Sequence, residues 1–305
     1  MAKLHTKVIV NPAAGANSTR RKWPGIHTLL KRTGLSFDYQ FTESAGHGIE
    51  LARAAASNGY RSLVAVGGDG TIHEVANGIL QSNNAKETSL GIICTGTGSD
   101  LSRTLGVSHD YAHACSALIN PRRVVIDIGL VKYQKNGSPC QRYFVNYAGI
   151  GIDAEVVRAT ERFPKFLGGT IPYLTGLLFS FIGYRNKPVT FQIGDRAVEK
   201  AQVLSVVVAN GRYYGGGMHI APEAKTDDNL FDMVIVGDIG KFDLIKTMPR
   251  VYKGTHLTHP KVRVEKDTCI TIQSSRKFLL HADGELLGEG PVSFSLIPKG
   301  LCLSL

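Results

Sequence analysis

The chain has 305 residues, 43% hydrophobic and 20% charged, proportions of an ordinary folded protein that exclude a disordered or low-complexity polypeptide. With 35 Lys and Arg against 25 Asp and Glu, its formal charge is +10, which favours a polyanionic partner: a nucleotide, an anionic lipid surface or a nucleic acid. Nucleic acid is the weakest of these, because only Trp23 and Tyr39 flank the densest basic cluster, Arg20-Arg21-Lys22, and nucleic-acid surfaces interleave aromatic with basic side chains.

Five widely spaced cysteines form no CxxC pair, so reduced thiols in a cytosol are expected. The N-terminal MAKLHTKVIVNP has too short an apolar run for a signal peptide. Residues 166–184 approach membrane-span length but hold four glycines and a proline.

In chain order, residues 7–12 (KVIVNP) predict a short strand ending in a turn, and 20–33 and 46–58 predict helices. SLVAVGG (62–68) is an apolar strand bounded by glycines, followed by an amphipathic helix over 71–80; LGIICTGTGS (90–99) repeats strand, Gly-rich turn and helix start. Continuous apolar strands separated by helices imply a parallel sheet covered on both faces. After 124–133 the texture changes. RYFVNYAGIGI, PVTFQIG, QVLSVVVANG, FDMVIVG, CITIQS, KFLLHADG and VSFSLIP are strand candidates, with long helices expected only over about 153–184 and 241–254. This predicts an α/β N-terminal domain (1–130) and a β-sandwich-like C-terminal domain (131–305), the last ~20 residues packing back on the first.

Three Gly-rich turns follow strands in the first half: NPAAG (11–15), GGDGT (67–71) and GTGSD (96–100). In a parallel sheet such turns gather at the strands' C-terminal edge, where glycine lets main-chain N–H groups approach phosphate oxygens. Neither a GxxxxGK[ST] loop nor a GxGxxG fingerprint is present. Asp69 inside GGDGT implies Mg²⁺, because a carboxylate beside phosphates repels them unless a cation intervenes; a helix cap is the competing reading. HADGE (281–285) sets Asp283 and Glu285 two apart around a glycine. That spacing suits either proton acceptance from an alcohol or a hairpin turn. His109 and His113 have helical i, i+4 spacing without a third ligand and read as a surface helix.

VIVNPAAG, TESAGHGIELA, VAVGGDGTIHEVANGIL, GTGSDLSRTLG, APEAKTDDNLFDMVIVG and HADGE stand in an order and spacing that resembles the diacylglycerol-kinase catalytic-domain family, related to sphingosine and ceramide kinases. The resemblance runs through nearly the whole chain. It implies an ATP-dependent lipid kinase using Mg²⁺, with an ATP-binding domain, a lipid-substrate domain and an active site in the cleft between them. Its ATP contacts would be Asn11, Thr42, Gly67, Gly68, Asp69, Gly70, Thr71, Ile72, His73, Glu74, Thr97 and Asp100. Its catalytic group would be Glu285 as proton acceptor, with Asp283 and Asp69. A second cation would sit on Asp228 and the main-chain carbonyls of Lys225 and Leu230. Ser99 stands where the family has Asn, and Asn229 where it has Gly. Over 166–184 the resemblance implies an apolar helical border to the lipid site, with Tyr173, Leu174, Leu177, Leu178 and Phe181 facing acyl chains or the bilayer, an ordinary core helix being the alternative, and a cytoplasmic protein associated peripherally with the membrane. GGDGT is shared with NAD kinases, so a soluble nucleotide kinase is one rival; a lipid-binding relative without turnover is the other.

Overall fold

The computed structural model describes residues 6–96, 98–161 and 183–305. The chain forms two compact units, one running through Ile126 and including Pro298–Leu305, the other Asp127–Ile297. The expected boundary at 130 falls inside a strand, β5 (Arg123–Lys135).

In the first unit β1 (Thr6–Val10), β2 (Phe37–Phe41), β3 (Ser62–Gly67) and β4 (Ser89–Cys94) are joined by α1 (Ser18–Arg32), α2 (His47–Ser57) and α3 (Asp69–Leu80), with α4 (Asp100–Leu105) and α5 (Tyr111–Ala117) after β4. The strands pair in parallel in the order β4, β3, β1, β2. The chain's last strand, β15 (Glu285–Ser304), adds Cys302–Ser304 in parallel beside β4. Strands β3 and β4 are buried throughout after Ser62, as their unbroken apolar runs require in a sheet covered on both faces. Val8, Val10, Val64, Val66 and Ile93 pack under Trp23, Ile26 and Leu30 of α1 and Cys115 of α5. The chain leaves β1 towards β2 and returns to place β3 on the other side of β1. The strand order therefore reverses at β1/β3, the position where open α/β sheets bind ligands.

The second unit holds β5, β6 (Ser138–Phe144), β7 (Tyr147–Gly151), α6 (Ile152–Glu161), β8 (Lys187–Ile193), β9 (Glu199–Val203), β10 (Ser205–Ala209), β11 (Phe231–Val236), α7 (Lys241–Tyr252), β12 (Val262–Asp267), β13 (Cys269–Gln273), β14 (Leu279–Ala282) and most of β15. Its pairings are antiparallel: β12, β11, β10, β7, β14 and β15 in sequence, with β13 joining β15 to β8 and β9, and the β5/β6 hairpin also on β15. Ala148, Ile150, Val206, Val208, Met233 and Leu280 face Phe144, Phe191, Ile270, Ile272 and Phe294 in one apolar core, the alternation of a sandwich. On the other face of β7, β10 and β11, Tyr147, Val207, Ala209 and Val234 pack against Met218, Ile220, Ala221 and Val251.

Several elements differ from expectation. β2 was not among the predicted strands, although Phe-Asp-Tyr-Gln-Phe alternates at period two. Helix α3 begins at Asp69, not Thr71. The expected helix over 153–184 is described to Glu161; residues 162–182, with Tyr173, Leu174, Leu177, Leu178 and Phe181, and Thr97 lie outside the described residues. Among the described residues no helix is long and apolar enough to cross a membrane.

Candidate active-site groups

The turns after β1, β3 and β4 leave the same edge of the parallel sheet and are tied together. Asn11 donates from Nδ2 to Thr71 Oγ1 at 3.0 Å and accepts the Ala13 N–H on Oδ1 at 3.0 Å, joining the first turn to the second. Thr95, where the third turn starts, is the hub. Its N–H and that of Gly96 donate to Gly67 O at 2.8 and 3.2 Å. Its carbonyl accepts Ser18 Oγ at 3.4 Å, and its hydroxyl lies 2.6 Å from Thr19 Oγ1. Gly68 and Gly96 meet backbone to backbone: a Cβ on Gly96 would stand 2.5 Å from Gly68 Cα. These glycines let two phosphate-loop candidates touch, a role separate from approach to a ligand.

Asp69 spans the same two turns. Its Oδ2 accepts the N–H of Asp100 at 3.1 Å and its Oδ1 that of Leu101 at 3.2 Å. The carboxylate thus serves the start of α4, whereas the competing sequence reading had it cap the helix it begins. Asp100 is buried and pairs with Arg103 at 3.0 Å. Ser99 adopts φ +56°, a left-handed conformation that asparagine accepts more readily than serine, and its Oγ lies 2.9 Å from Cys94 Sγ.

The rest of the expected ATP segment divides by burial. Ile72 and His73 are buried, and Asn77 donates from Nδ2 to the His73 carbonyl at 3.0 Å. Glu74 accepts the Gly46 and Gly48 N–H groups at 2.9 Å each, so its carboxylate caps α2. For these three residues main-chain groups, not side chains, are what a nucleotide could meet. Thr42, at the end of β2, is buried and bonds Val10 O through its N–H at 2.9 Å.

In the second unit HADGE is a tight turn, Asp283 at φ +47° and Gly284 at φ +82°. The Asp283 carboxylate accepts three successive main-chain N–H groups, Val145 at 2.8, Asn146 at 2.9 and Tyr147 at 3.0 Å. Such saturation makes it a brace for the turn. Glu285 is more open, its side chain 44% exposed, and pairs with Arg142 Nη2 at 3.3 Å. The turn therefore separates two roles that its sequence leaves merged.

Asp228 forms an Asx turn, Oδ1 accepting the Leu230 N–H at 3.2 Å, and Asn229 takes φ +62°. The turn is pinned to β5: Asn229 N–H donates to Asp127 Oδ2 at 2.8 Å, and Asp127 N–H to Thr226 O at 2.6 Å. Nearby Asp232 is buried with Oδ2 unpaired, its Oδ1 3.2 Å from Lys266 Nζ. Burial pushes its carboxyl above the usual range, and the charges of Asp228 and Glu223 add to the rise against the pull of Lys266. An acidic turn rich in oxygen donors, balanced by Lys266 on one side alone, suits a hard cation. Among the described residues no three His, Cys, Asp or Glu side chains gather as ligands, so a cation here would need carbonyls such as those of Lys225 and Leu230.

Sequence reading missed a buried pair, His281 and Asp153, whose Nε2 and Oδ2 lie 2.9 Å apart. Gly149 lies alongside; a Cβ there would stand 2.4 Å from Asp153 Oδ2. The two residues are 128 positions apart, and no local motif links them. Arg142 and Asp127 were missed for the same reason.

The sequence profile of the Diacylglycerol kinase catalytic domain matches residues 5–131, and that of the YegS C-terminal NAD kinase beta sandwich-like domain matches 146–305. A protein of Staphylococcus haemolyticus (strain JCSC1435) named Diacylglycerol kinase is 31% identical over 94% of this chain and 84% of its own. One of Staphylococcus carnosus (strain TM300) with the same name is 29% identical over 94% and 90%. Among solved structures, a Bacillus anthracis str. Sterne protein provisionally assigned as a diacylglycerol kinase superposes with TM-score 0.80 at 24% identity, covering 100% of this chain and 96% of that one; at that identity the likeness speaks for the fold. With both halves matched and a relative above 30% identity spanning nearly all of it, the chain belongs to the diacylglycerol-kinase family of lipid kinases.

Proposed function

We propose that this protein uses ATP and Mg²⁺ to phosphorylate the hydroxyl of a diacylglycerol-like lipid. The observation that carries the reading is the joining of three Gly-rich turns through Thr95, Asn11 and Asp69 at one sheet edge, a fixed frame from which main-chain N–H groups at the start of α3 can meet a triphosphate. In this reading Gly67, Gly68, Gly70, Thr71 and Thr97 bind and orient the nucleotide, with Asn11 and Thr42 as further contacts. Asp69 and Asp100 are the carboxylates that would hold Mg²⁺, which neutralises phosphate charge when bound. Glu285 takes the proton of the lipid hydroxyl as its oxygen bonds the γ-phosphorus and the bridging P–O bond to ADP breaks. Asp283 holds that turn in shape. The Asp228 turn would bind a second, structural Mg²⁺. The enzyme would be cytoplasmic and bind membranes peripherally, since its acceptor resides in a bilayer.

The test is transfer from radiolabelled ATP across a panel of diacylglycerol, monoacylglycerol, phosphatidylglycerol and a sphingoid base, with NAD as a parallel acceptor. Labelled phosphatidic acid from diacylglycerol is expected. Labelling of NAD in place of every lipid would overturn the reading in favour of a soluble nucleotide kinase, and labelling of nothing would favour a lipid-binding relative without turnover.

A further inference from the structure

Helix α7 carries its most exposed apolar side chains on the side away from the protein. Phe242 is 83% exposed, Ile245 56% and Tyr252 49%, and Pro249 between them is exposed too. Their spacing of i, i+3, i+7 and i+10 puts all four within about 80° of arc on an α-helix. The inward side is satisfied separately, with Thr247 and Val251 buried and Met248 packed beside Val251 and Met218. A surface helix ordinarily turns polar residues outward. This one has a second apolar stripe, and lysines border it on both sides: Lys246 and Lys253 on one flank, Lys241 on the other. The helix's one acid, Asp243, points to the His259 ring at 3.9 Å. Arg250 is drawn to the Thr255 carbonyl at 2.9 Å.

We propose that α7 is an interfacial anchor whose Phe242, Ile245 and Tyr252 enter the headgroup region of an anionic phospholipid bilayer while Lys246 and Lys253 meet the lipid phosphates. The charge argues for lipid over a protein partner. An apolar stripe edged by Lys246 and Lys253 matches a surface that is apolar beneath and uniformly anionic above, and lysine stems reach back to that plane. An aromatic with a hydroxyl at one end of the stripe suits the boundary between water and acyl chains. The proposal rests on the acceptor being a bilayer lipid and is independent of residues 166–184.

The full chain is sedimented with vesicles of phosphatidylcholine alone and of phosphatidylcholine mixed with phosphatidylglycerol. Binding is expected to the anionic vesicles and to weaken with salt as surface charges are screened. Phe242→Ser/Ile245→Ser/Tyr252→Ser should lower partitioning about tenfold or more, since apolar area no longer leaves water. Lys246→Glu/Lys253→Glu should lower it about as much at low salt. Val198→Ser, at a site 58% exposed and outside α7, should bind as wild type. All substituted residues of the apolar set are exposed, and unchanged circular dichroism verifies their fold. Absence of wild-type binding, or wild-type binding by the apolar variant, overturns the proposal. So does unchanged vesicle binding with an altered oligomeric state in light scattering, which would assign the stripe to protein contact. Phosphorylation of a short-chain diacylglycerol dispersed as monomers, measured in parallel, should be equal in wild type and variants; its failure in wild type would sink the kinase reading and leave the vesicle result to judge α7.

Discussion

Asp69 Oδ2 accepts the main-chain N–H of Asp100 at 3.1 Å, so the carboxylate expected to work on phosphates also holds the neighbouring Gly-rich turn in place. Asp69→Asn keeps the volume but removes charge and one acceptor, leaving an amide facing a backbone N–H. A stability loss of about 1–3 kcal/mol is expected from hydrogen bonds of this kind, and turnover should fall by about 10² or more if the charge also serves the nucleotide. Thermal unfolding beside ATP turnover separates the two effects. Lowered stability with near-normal kcat would reduce Asp69 to a brace.

Glycines 70 and 96 should respond in opposite ways. A Cβ on Gly96 would stand 2.5 Å from Gly68 Cα, a backbone atom that cannot rotate aside, whereas Gly70 has no neighbour within 4 Å. Gly96→Ala is therefore expected to destabilise the first unit and raise KM for ATP. Gly70→Ala sits in the first turn of α3 and should leave stability unchanged or raise it by about 0.5–1 kcal/mol. If its main chain approaches a phosphate, KM for ATP rises all the same. An unchanged KM in Gly70→Ala would remove Gly70 from the nucleotide contacts.

Asp283 and Glu285, two residues apart, should divide structure from chemistry. Glu285→Gln removes an exposed partner of Arg142, a pair of the kind worth about 0–1 kcal/mol, while turnover should drop by about 10²–10⁴ with the loss of the proton acceptor. Asp283→Ala leaves three main-chain N–H groups without their acceptor and should cost about 3–5 kcal/mol, activity falling with the fold. Chemical denaturation and initial rates on both variants check the division. Equal destabilisation by the two would argue that the turn acts as one structural unit.

What the sequence made legible follows from range. Each Gly-rich turn lies within five residues, and its strand and helix flank it, so local sequence alone puts NPAAG, GGDGT and GTGSD on one sheet edge. The β-rich second half was equally plain from apolar alternation. Illegible were the contacts that give those turns their shape: Thr95 as hub, Glu74 capping α2, Asp127 pinning the Asp228 turn and Asp153 meeting His281. Each joins residues tens of positions apart, and a side chain's partner at that distance is decided by the packing of whole elements. The Asp283 brace was hidden for a further reason, because its partners are main-chain N–H groups that carry no residue identity.

The Asp228 turn supplies a binding prediction. Mg²⁺ that binds only the folded chain raises its stability by mass action. Titrating Mg²⁺ into nucleotide-free protein is expected to raise the unfolding temperature, by an amount corresponding to about 2.7 kcal/mol at a hundredfold excess over Kd. Asp228→Ala should abolish the shift while leaving any contribution from Asp69 and Asp100 to be seen only with ATP present. A full shift in Asp228→Ala would move the cation elsewhere.

His256 gives the second unit a pH limit. Its ring is buried, with Nε2 3.1 Å from the Ile220 carbonyl. Burial first, then His219 and Arg250 nearby, outweigh that bond and lower its pKa from 6.5 to about 4. The folded protein therefore holds a neutral ring where the unfolded chain binds a proton. The stability this provides is complete above pH 6.5 and is lost as pH falls towards 4, because protonation draws the chain to the unfolded state. The loss should be on the order of 2 kcal/mol across that window. His219, whose pKa burial also lowers, acts in the same direction. Urea unfolding of wild type and His256→Gln at pH 7, 6 and 5 isolates the contribution of this ring. The variant is expected to be less stable at pH 7 and to lose less on acidification. Parallel pH profiles for the two proteins would show that His256 is not the group that titrates.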